Sequence, residues 1–329
     1  MTRALAFALL TALAAPIAAK ERLAPGDHSR AFPHQRLARS YVLHLPPAAA
    51  KGSALPLVLA FHGGGGNAEG FQAYAGLDAV ADRAGFAVAY PNGTGPASKN
   101  PNLPIPPRLR RLFTWNAGRC CAWAMENKAA DVGFAKRVIE DAAERAPIDR
   151  ARVFATGHSN GAMMAYRLAA EAADVVAAIA PVAGAMNLRS EFAPSRPVPV
   201  LHIHSVHDPR ALFAGGNNKS ITGQTIHHEP VVAGLQAWEK RNGCSGPGKE
   251  LARKTAPARN GDGEHTAIRI AGKCPTAAPV ELWKLERAGH GWPGDNPGPL
   301  GEALMGPHTN VISAAEEAWS FFARFPASP

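Results

Sequence analysis

The sequence predicts an α/β fold, a mostly parallel central sheet with helices on both of its faces. Two observations carry the prediction. Short apolar runs alternate along the chain with longer helix-forming segments, the rhythm of repeated β-α units. Several of these runs also end directly in glycine-rich loops, and open α/β sheets gather their chemistry at the carboxyl ends of strands.

The elements follow in order. Arg39–Pro46 alternates as a strand does, and Leu55–Asn67 reads as a buried strand that ends in consecutive glycines. A helical stretch covers Ala68–Ala84 and is followed by the strand Gly85–Pro91. Ala130–Asp149 is a helix with Val132, Val138 and Ile139 among its apolar positions. Ala151–Ala155 is a short buried strand, and Gly161–Ala173, rich in strong helix formers, is a helix. Strands over Val175–Gly184 and Val198–Asp208 come next, then a helix over Val231–Arg241. The strand pair His265–Ile270 and Val280–Glu286 precedes a last helix over Val311–Phe322. No internal repeat or long low-complexity tract interrupts the series.

At 329 residues the length allows two domains, but one catalytic α/β domain over residues 20–329 accounts for it. Residues 1–19 contain Arg3, an apolar run and small residues up to Ala19, the pattern of a secretory signal peptide. That run is short for a membrane span, and no later segment is apolar for long enough to be one. The protein is therefore expected to be secreted or periplasmic, with its four cysteines in an oxidising compartment. The net charge of +9 is dispersed, apart from the cluster Pro106–Phe113. Export and the lack of interleaved aromatics argue against nucleic-acid binding and favour a solvated or lid-like surface.

The stretch Ala155–Tyr166 sets Ser159 between Gly157 and Gly161, after a strand and before a helix. That context makes Ser159 a nucleophile on a sharp G-x-S-x-G turn, where glycines avoid the clashes a Cβ would cause. The fold is then an α/β-hydrolase, whose triad runs Ser, Asp or Glu, then His, each partner on a loop after a strand. Asp174, Glu191, Asp262 and Glu264 compete for the acid, but only Asp208 follows a full apolar strand. His227, His228, His265 and His308 compete for the base, but His290 alone lies in a glycine-rich loop directly after a strand. The oxyanion hole is assigned to the backbone of Asn160 and of Gly64, with Gly63 next in line. The glycine loop lacks Gly-Lys-Ser/Thr and a dinucleotide fingerprint, so no phosphate cofactor is expected. His202, His204 and His207 have a usable metal spacing, yet no Cys or Glu completes a set, and no metal is expected.

The runs FHGGGGNAEGF, WNAGRCC, RVFATGHSNGAMMAYRLAAE, AAIAPVAG and GHGWPG resemble those of the polyhydroxybutyrate-depolymerase-like esterases, a secreted branch of the α/β-hydrolases that includes feruloyl and acetylxylan esterases. The resemblance covers nearly the whole chain after residue 20. It implies a serine carboxylesterase with Ser159, Asp208 and His290 as triad and Gly64 at the oxyanion position. It also implies an ester substrate, a polymer among the candidates, with feruloyl, acetyl and hydroxybutyrate esters all suited to an exposed triad. His158 before the nucleophile, Ser205 where the acid loop of the family has glycine, and Phe213 where tyrosine is common depart from the pattern. So does the long segment Gly95–Arg111, which is placed either to overhang Ser159 or to be plain surface. These departures bear on substrate rather than on the triad. A binding protein with a dead site is the alternative from another class.

Cys244 and Cys274 are candidates to pair, whereas the adjacent Cys120 and Cys121 could pair with each other, stay free, or cross-pair. Trp115 and Trp292 are the candidate substrate contacts; for Trp115 and Trp123 a core position is the commoner role, and Trp292, beside His290, is the expected pocket wall.

Overall fold

The structure is a computed structural model and describes residues 22–100, 106–219, 225–258, 263–295 and 298–325. The expected signal peptide and Asp262 lie outside the described residues.

Ten strands form one sheet. In chain order they are β1 (Gly26–His34), β2 (Leu37–Leu45), β3 (Leu55–Phe61), β4 (Ala87–Pro91), β5 (Ile148–His158), β6 (Ala178–Val182), β7 (Val200–Ser205), β10 (Lys249–Pro257), β11 (Glu264–Ala271) and β12 (Val280–Glu286). β8 (Gly216–Lys219) and β9 (Thr225–His228) form a separate hairpin. The spatial order is β1-β2-β4-β3-β5-β6-β7-β12-β11-β10. The strands from β4 to β12 in that order are parallel, and an antiparallel pair completes each side. The central runs are apolar on both faces because helices cover both. β3, β4, β6 and β7 are buried at every position.

Nine helices accompany the strands, counted among the described residues: α1 (Ala68–Ala75), α2 (Leu77–Ala84), α3 (Pro96–Lys99), α4 (Ala122–Glu126), α5 (Asp131–Arg145), α6 (Asn160–Glu171) and α7 (Val231–Asn242) lie between strands, and α8 (Gly298–Met305) and α9 (Ala314–Phe322) follow β12. On one face Phe134, Val138, Leu168 and Trp238 carry α5, α6 and α7 into the core. On the other Phe71, Val80, Phe321 and Phe322 do the same for α1, α2 and α9, with Phe322 stacked on Phe154 at 4.7 Å. Each such side chain contributes about 1.5–3 kcal/mol on burial.

The structure corrects several boundaries. The helical stretch Ala68–Ala84 is two helices, α1 and α2, because Gly76 at φ 67° breaks the ladder between them. The strand expected over Ala151–Ala155 runs from Ile148 to His158, and its first half carries Asp149, Arg150 and Arg152 outside the core. β1 and β10 have no continuous apolar face, since every second β1 residue is exposed and β10 carries Lys249, Glu250, Arg253 and Lys254. Both lie at sheet edges, and β10 is further kinked by a register shift between Glu250 and Ala252. Cys244 pairs with Cys274, closing a loop of 30 residues, and Cys120 pairs with Cys121.

One ion pair is fully enclosed. Arg39 on β2 meets Asp131 at the start of α5 at 2.7 Å, with both side chains 0% exposed. The second Asp131 oxygen accepts from the Asn116 N–H, and Arg39 also donates to the Asn92 carbonyl. The guanidinium lies 3.7 Å from the Phe134 ring centroid. Asp131→Ala would leave a buried guanidinium unpaired and should cost about 3–5 kcal/mol, read as a lower urea midpoint; Arg39→Met with Asp131→Leu should cost much less.

A second cluster titrates. His44 lies 2.7 Å from Asp27, 3.7 Å from Asp78 and 3.0 Å from Asp82. Burial disfavours its charged form, but the three carboxylates outweigh it and raise its pKa. A raised folded-state value stabilises the protein below the unfolded value, about 6.5, and that contribution is lost as pH rises through the folded value. His44→Leu should therefore flatten the fall in thermal midpoint on the alkaline side of pH 6.5; an unchanged slope would remove His44 as its source.

Candidate active site

β5 runs straight into Ser159, and α6 starts at the next residue. Ser159 has φ 56° and ψ −118°, a strained geometry for a residue with a side chain. Its N–H bonds to the Val182 carbonyl of β6. Three glycines make the turn fit. A Cβ on Gly161 would lie 2.1 Å from the Phe61 carbonyl oxygen, one on Gly157 2.6 Å from the Gly161 backbone, and one on Gly184 2.2 Å from the Ser159 oxygen.

The loops after β7 and β12 bring Asp208 and His290 together. The Ser205 hydroxyl, on β7, donates to the Ala288 carbonyl and ties one loop to the other. A Cβ on Gly289 would lie 2.3 Å from the Met305 carbonyl oxygen, so this loop needs its glycine too. His290 Nδ1 donates to Asp208 Oδ2 at 2.7 Å, and Asp208 Oδ1 accepts from the N–H groups of Arg210 and Ala211. Burial works against the Asp208 charge, but His290 and a hydrogen bond from His204 hold its carboxyl far below the usual carboxylate range. The carboxylate is ionised, and it fixes Nδ1–H on His290.

Ser159, only half-buried, and His290 line the same cleft, yet no hydrogen bond joins the hydroxyl to the imidazole among the described residues. Gly64 faces the start of α6, where a Cβ on it would lie 3.6 Å from Asn160 Cβ. Neither the Gly64 nor the Asn160 N–H has a partner among the described residues. The Asn160 side chain is held by Trp115, accepting from its N–H at 2.7 Å and donating to its carbonyl at 3.1 Å. The glycine loop is braced from the other side. Gly65 donates to Phe113, Phe113 donates to Gly66, and His62, driven down to about 4 by burial, accepts from the Gly93 N–H.

The cleft has two lobes that meet at Ser159, His290 and Gly64. The larger, about 800 Å³, is walled by Leu112, the Cys120–Cys121 pair, Met125, Met163 and Ile226. The smaller, about 450 Å³, is lined by Tyr74, His158, Trp292, Asp295 and His308. Trp292 thus stands in the wall, its Nε1 donating to the Ala75 carbonyl. Trp115 lines neither lobe. It is fully buried beneath the glycine loop, packed edge-on against Phe61 and donating to the His62 carbonyl, which corrects its reading as a substrate contact. Trp123 is half-buried on α4. Among the other histidines considered, His265 is buried on β11, His227 is exposed on β9, and His228 lines the larger lobe.

Met163 was missed, although it stands one helical turn after Ser159, on α6. Ile226, and the place of His228 in the lobe, could not be read because the β8–β9 hairpin that carries them has no apolar pattern. The segment Gly95–Arg111 is described in part. Its last residues lead into Leu112 at the lobe, and Arg111 pairs with Glu69.

Residues 39–226, more than half of the chain, match the model of the esterase PHB depolymerase family. NocK of Nocardia uniformis subsp. tsuyamanensis, named as an esterase, is 32% identical over 86% of this chain and 78% of its own length. Feruloyl esterase B of Piromyces equi is 27% identical over 64% of this chain, but only 37% of its length is spanned. Among solved structures, acetyl xylan esterase from Aspergillus awamori superposes with a TM-score of 0.52 at 13% identity, over 90% of this chain and 99% of that one. That likeness concerns the fold, the α/β-hydrolase arrangement.

Proposed function

Because the chain belongs to the esterase PHB depolymerase family and is a carboxylic-ester hydrolase, we propose that it is a serine esterase in which Ser159, His290 and Asp208 act together through an acyl-enzyme. The observation that carries this reading is the 2.7 Å bond between His290 and the ionised Asp208, at the mouth of a turn that strains Ser159 outward. With Nδ1–H committed to Asp208, His290 presents the Nε2 lone pair as general base. It takes the Ser159 proton as the oxygen attacks the ester carbonyl. The tetrahedral oxyanion forms against the N–H groups of Gly64, in the loop after β3, and of Asn160, at the start of α6, neither of which has another partner among the described residues. His290 then gives the proton to the leaving alcohol, the acyl group stays on Ser159, and water releases it by the reverse steps. The missing Ser159–His290 hydrogen bond fits a contact that tightens once substrate is bound.

The two lobes divide the ester between them. The larger has mostly apolar walls, with Arg119, Arg210 and Lys219 among the polar exceptions, and the sulfurs of Met125, Met163 and the disulfide favour an aromatic ring. An acetyl group would leave most of it empty. Among feruloyl, acetyl and hydroxybutyrate esters, a feruloyl-type acyl group fits best, with the alcohol side toward Trp292. The disulfide-bonded cysteines support an exported enzyme, and among the described residues no helix is long and apolar enough to cross a membrane.

Ser159→Ala should lower p-nitrophenyl ester turnover by roughly three or more orders of magnitude with the circular dichroism unchanged, and Asp208→Asn and His290→Ala should cripple kcat with little change in KM. Near-normal turnover of folded Ser159→Ala would remove the serine from the mechanism. On a panel of methyl ferulate, acetylated xylan and short polyhydroxybutyrate, kcat/KM should be highest for methyl ferulate; a clear preference for acetylated xylan would overturn the assignment of the large lobe while leaving the triad in place.

A further inference from the structure

Behind Asp208 a row of buried side chains with no part in the steps above runs into the core. Tyr166 on α6 lies 2.9 Å through its hydroxyl from His202 Nδ1. His202 Nε2 lies 2.9 Å from His204 Nδ1. His204 Nε2 in turn lies 2.8 Å from the Ala211 carbonyl oxygen and 3.3 Å from Asp208 Oδ2. All three side chains are 1% exposed or less.

The direction of this row follows from its end. Ala211 offers a carbonyl and Asp208 a carboxylate, and both only accept, so His204 Nε2 must carry hydrogen. In the neutral ring Nδ1 then accepts, so His202 Nε2 must donate and His202 Nδ1 must accept. The Tyr166 hydroxyl is the donor at the head. Burial holds His202 well below its ordinary pKa and pushes the Tyr166 hydroxyl up, so both are uncharged. With His204 neutral, every hydrogen in the row points toward Asp208.

We propose that Tyr166, His202 and His204 form a one-way hydrogen-bond row that keeps His204 neutral, so that the Asp208 charge is committed to His290. It rests on the triad reading above. A second proton on His204 would have to sit on Nδ1, where the His202 N–H already points, and could enter only by reversing His202 against Tyr166. Without the row, Nδ1 is open, and a doubly protonated His204 would neutralise the carboxylate that His290 needs. His202 and His204 are thus positioning residues. They do not touch the reacting atoms.

The other groups facing this cluster do not substitute for the row. His158, at the end of β5, has its ring 4.9 Å from that of His290 and is driven down to about 3 by burial and His290. His228 on β9 is driven down to about 4, chiefly by burial. Lys284, beside His204 in the β7–β12 register, pairs with Glu286. Arg210 donates through Nε to the Leu304 carbonyl.

The test compares His202→Leu, which removes the donor, with His202→Gln, whose amide N–H can still reach His204 Nδ1. For His202→Leu, kcat/KM should fall roughly tenfold at mildly acid pH, the acid limb of the profile moving to higher pH by about one unit, while KM changes little and activity recovers on the alkaline side. His202→Gln should restore the wild-type profile. An acid limb that stays in place in a His202→Leu protein with only a lowered melting temperature would overturn the proposal, leaving the row a matter of packing. Should His202→Leu not fold, nitrogen NMR of the wild-type enzyme decides: His204 should remain the neutral Nε2–H form from neutral pH down to about pH 5. A cationic ring or the Nδ1–H form in that range overturns the row. This measurement is independent of turnover, so a Ser159→Ala enzyme that stayed active would sink the triad and leave the test of the row standing.

Discussion

The site depends on one steric constraint, the near-contact of three backbone segments beneath Ser159. The end of β3, the end of β5 and the first turn of α6 approach so closely that a Cβ at Gly157 or Gly161 would fall inside a carbonyl of a neighbour. That approach forces Ser159 to φ 56°, a conformation costing of order 1–3 kcal/mol. The cost is offset by what α6 buries, since nearly all its residues from Asn160 to Ala170 are inside. The same approach sets Asn160 opposite Gly64, where a Cβ on the glycine would lie 3.6 Å from Asn160 Cβ.

The electrostatics of the site are simple for so basic a chain. Burial holds His62, His158, His202 and His228 uncharged around the ionised carboxylate of Asp208. Arg119, Arg210 and Lys219 stand in the wall of the larger lobe, while Arg152, Arg253 and Lys254 are paired away from it. The Asp208 carboxylate itself is bonded to His290 and to the N–H groups of Arg210 and Ala211.

Much of this was legible in the sequence, for definite reasons. Asp208 and His290 stood out because each follows an apolar strand, and a loop leaving a strand end is where a parallel sheet exposes side chains. Gly157 and Gly161 were legible as spacing alone. What could not be read was whatever depended on contacts across the fold. The Arg39–Asp131 pair joins residues 92 positions apart, and neither residue differs locally from a surface charge. Trp115 looks like a ring for a ligand, yet its work is to hold Asn160 through its backbone. β10 escaped because an exposed edge strand needs no apolar face. The break at Gly76 escaped because helical period continues across it while the backbone does not.

The two edge strands carry a consequence of their own. A sheet of ten strands ends in two rows of unpaired peptide groups, each a template on which another molecule's strand could zip. β1 has Pro33 near its end, which denies the row a donor, and its outward residues include Asp27. β10 presents Lys249, Glu250, Arg253 and Lys254 along a kinked strand that ends at Pro257. A growing stack would have to bury those ammonium and guanidinium groups against their own copies. At high local concentration copies of this protein meet edge to edge, and these two strands let them stay dispersed.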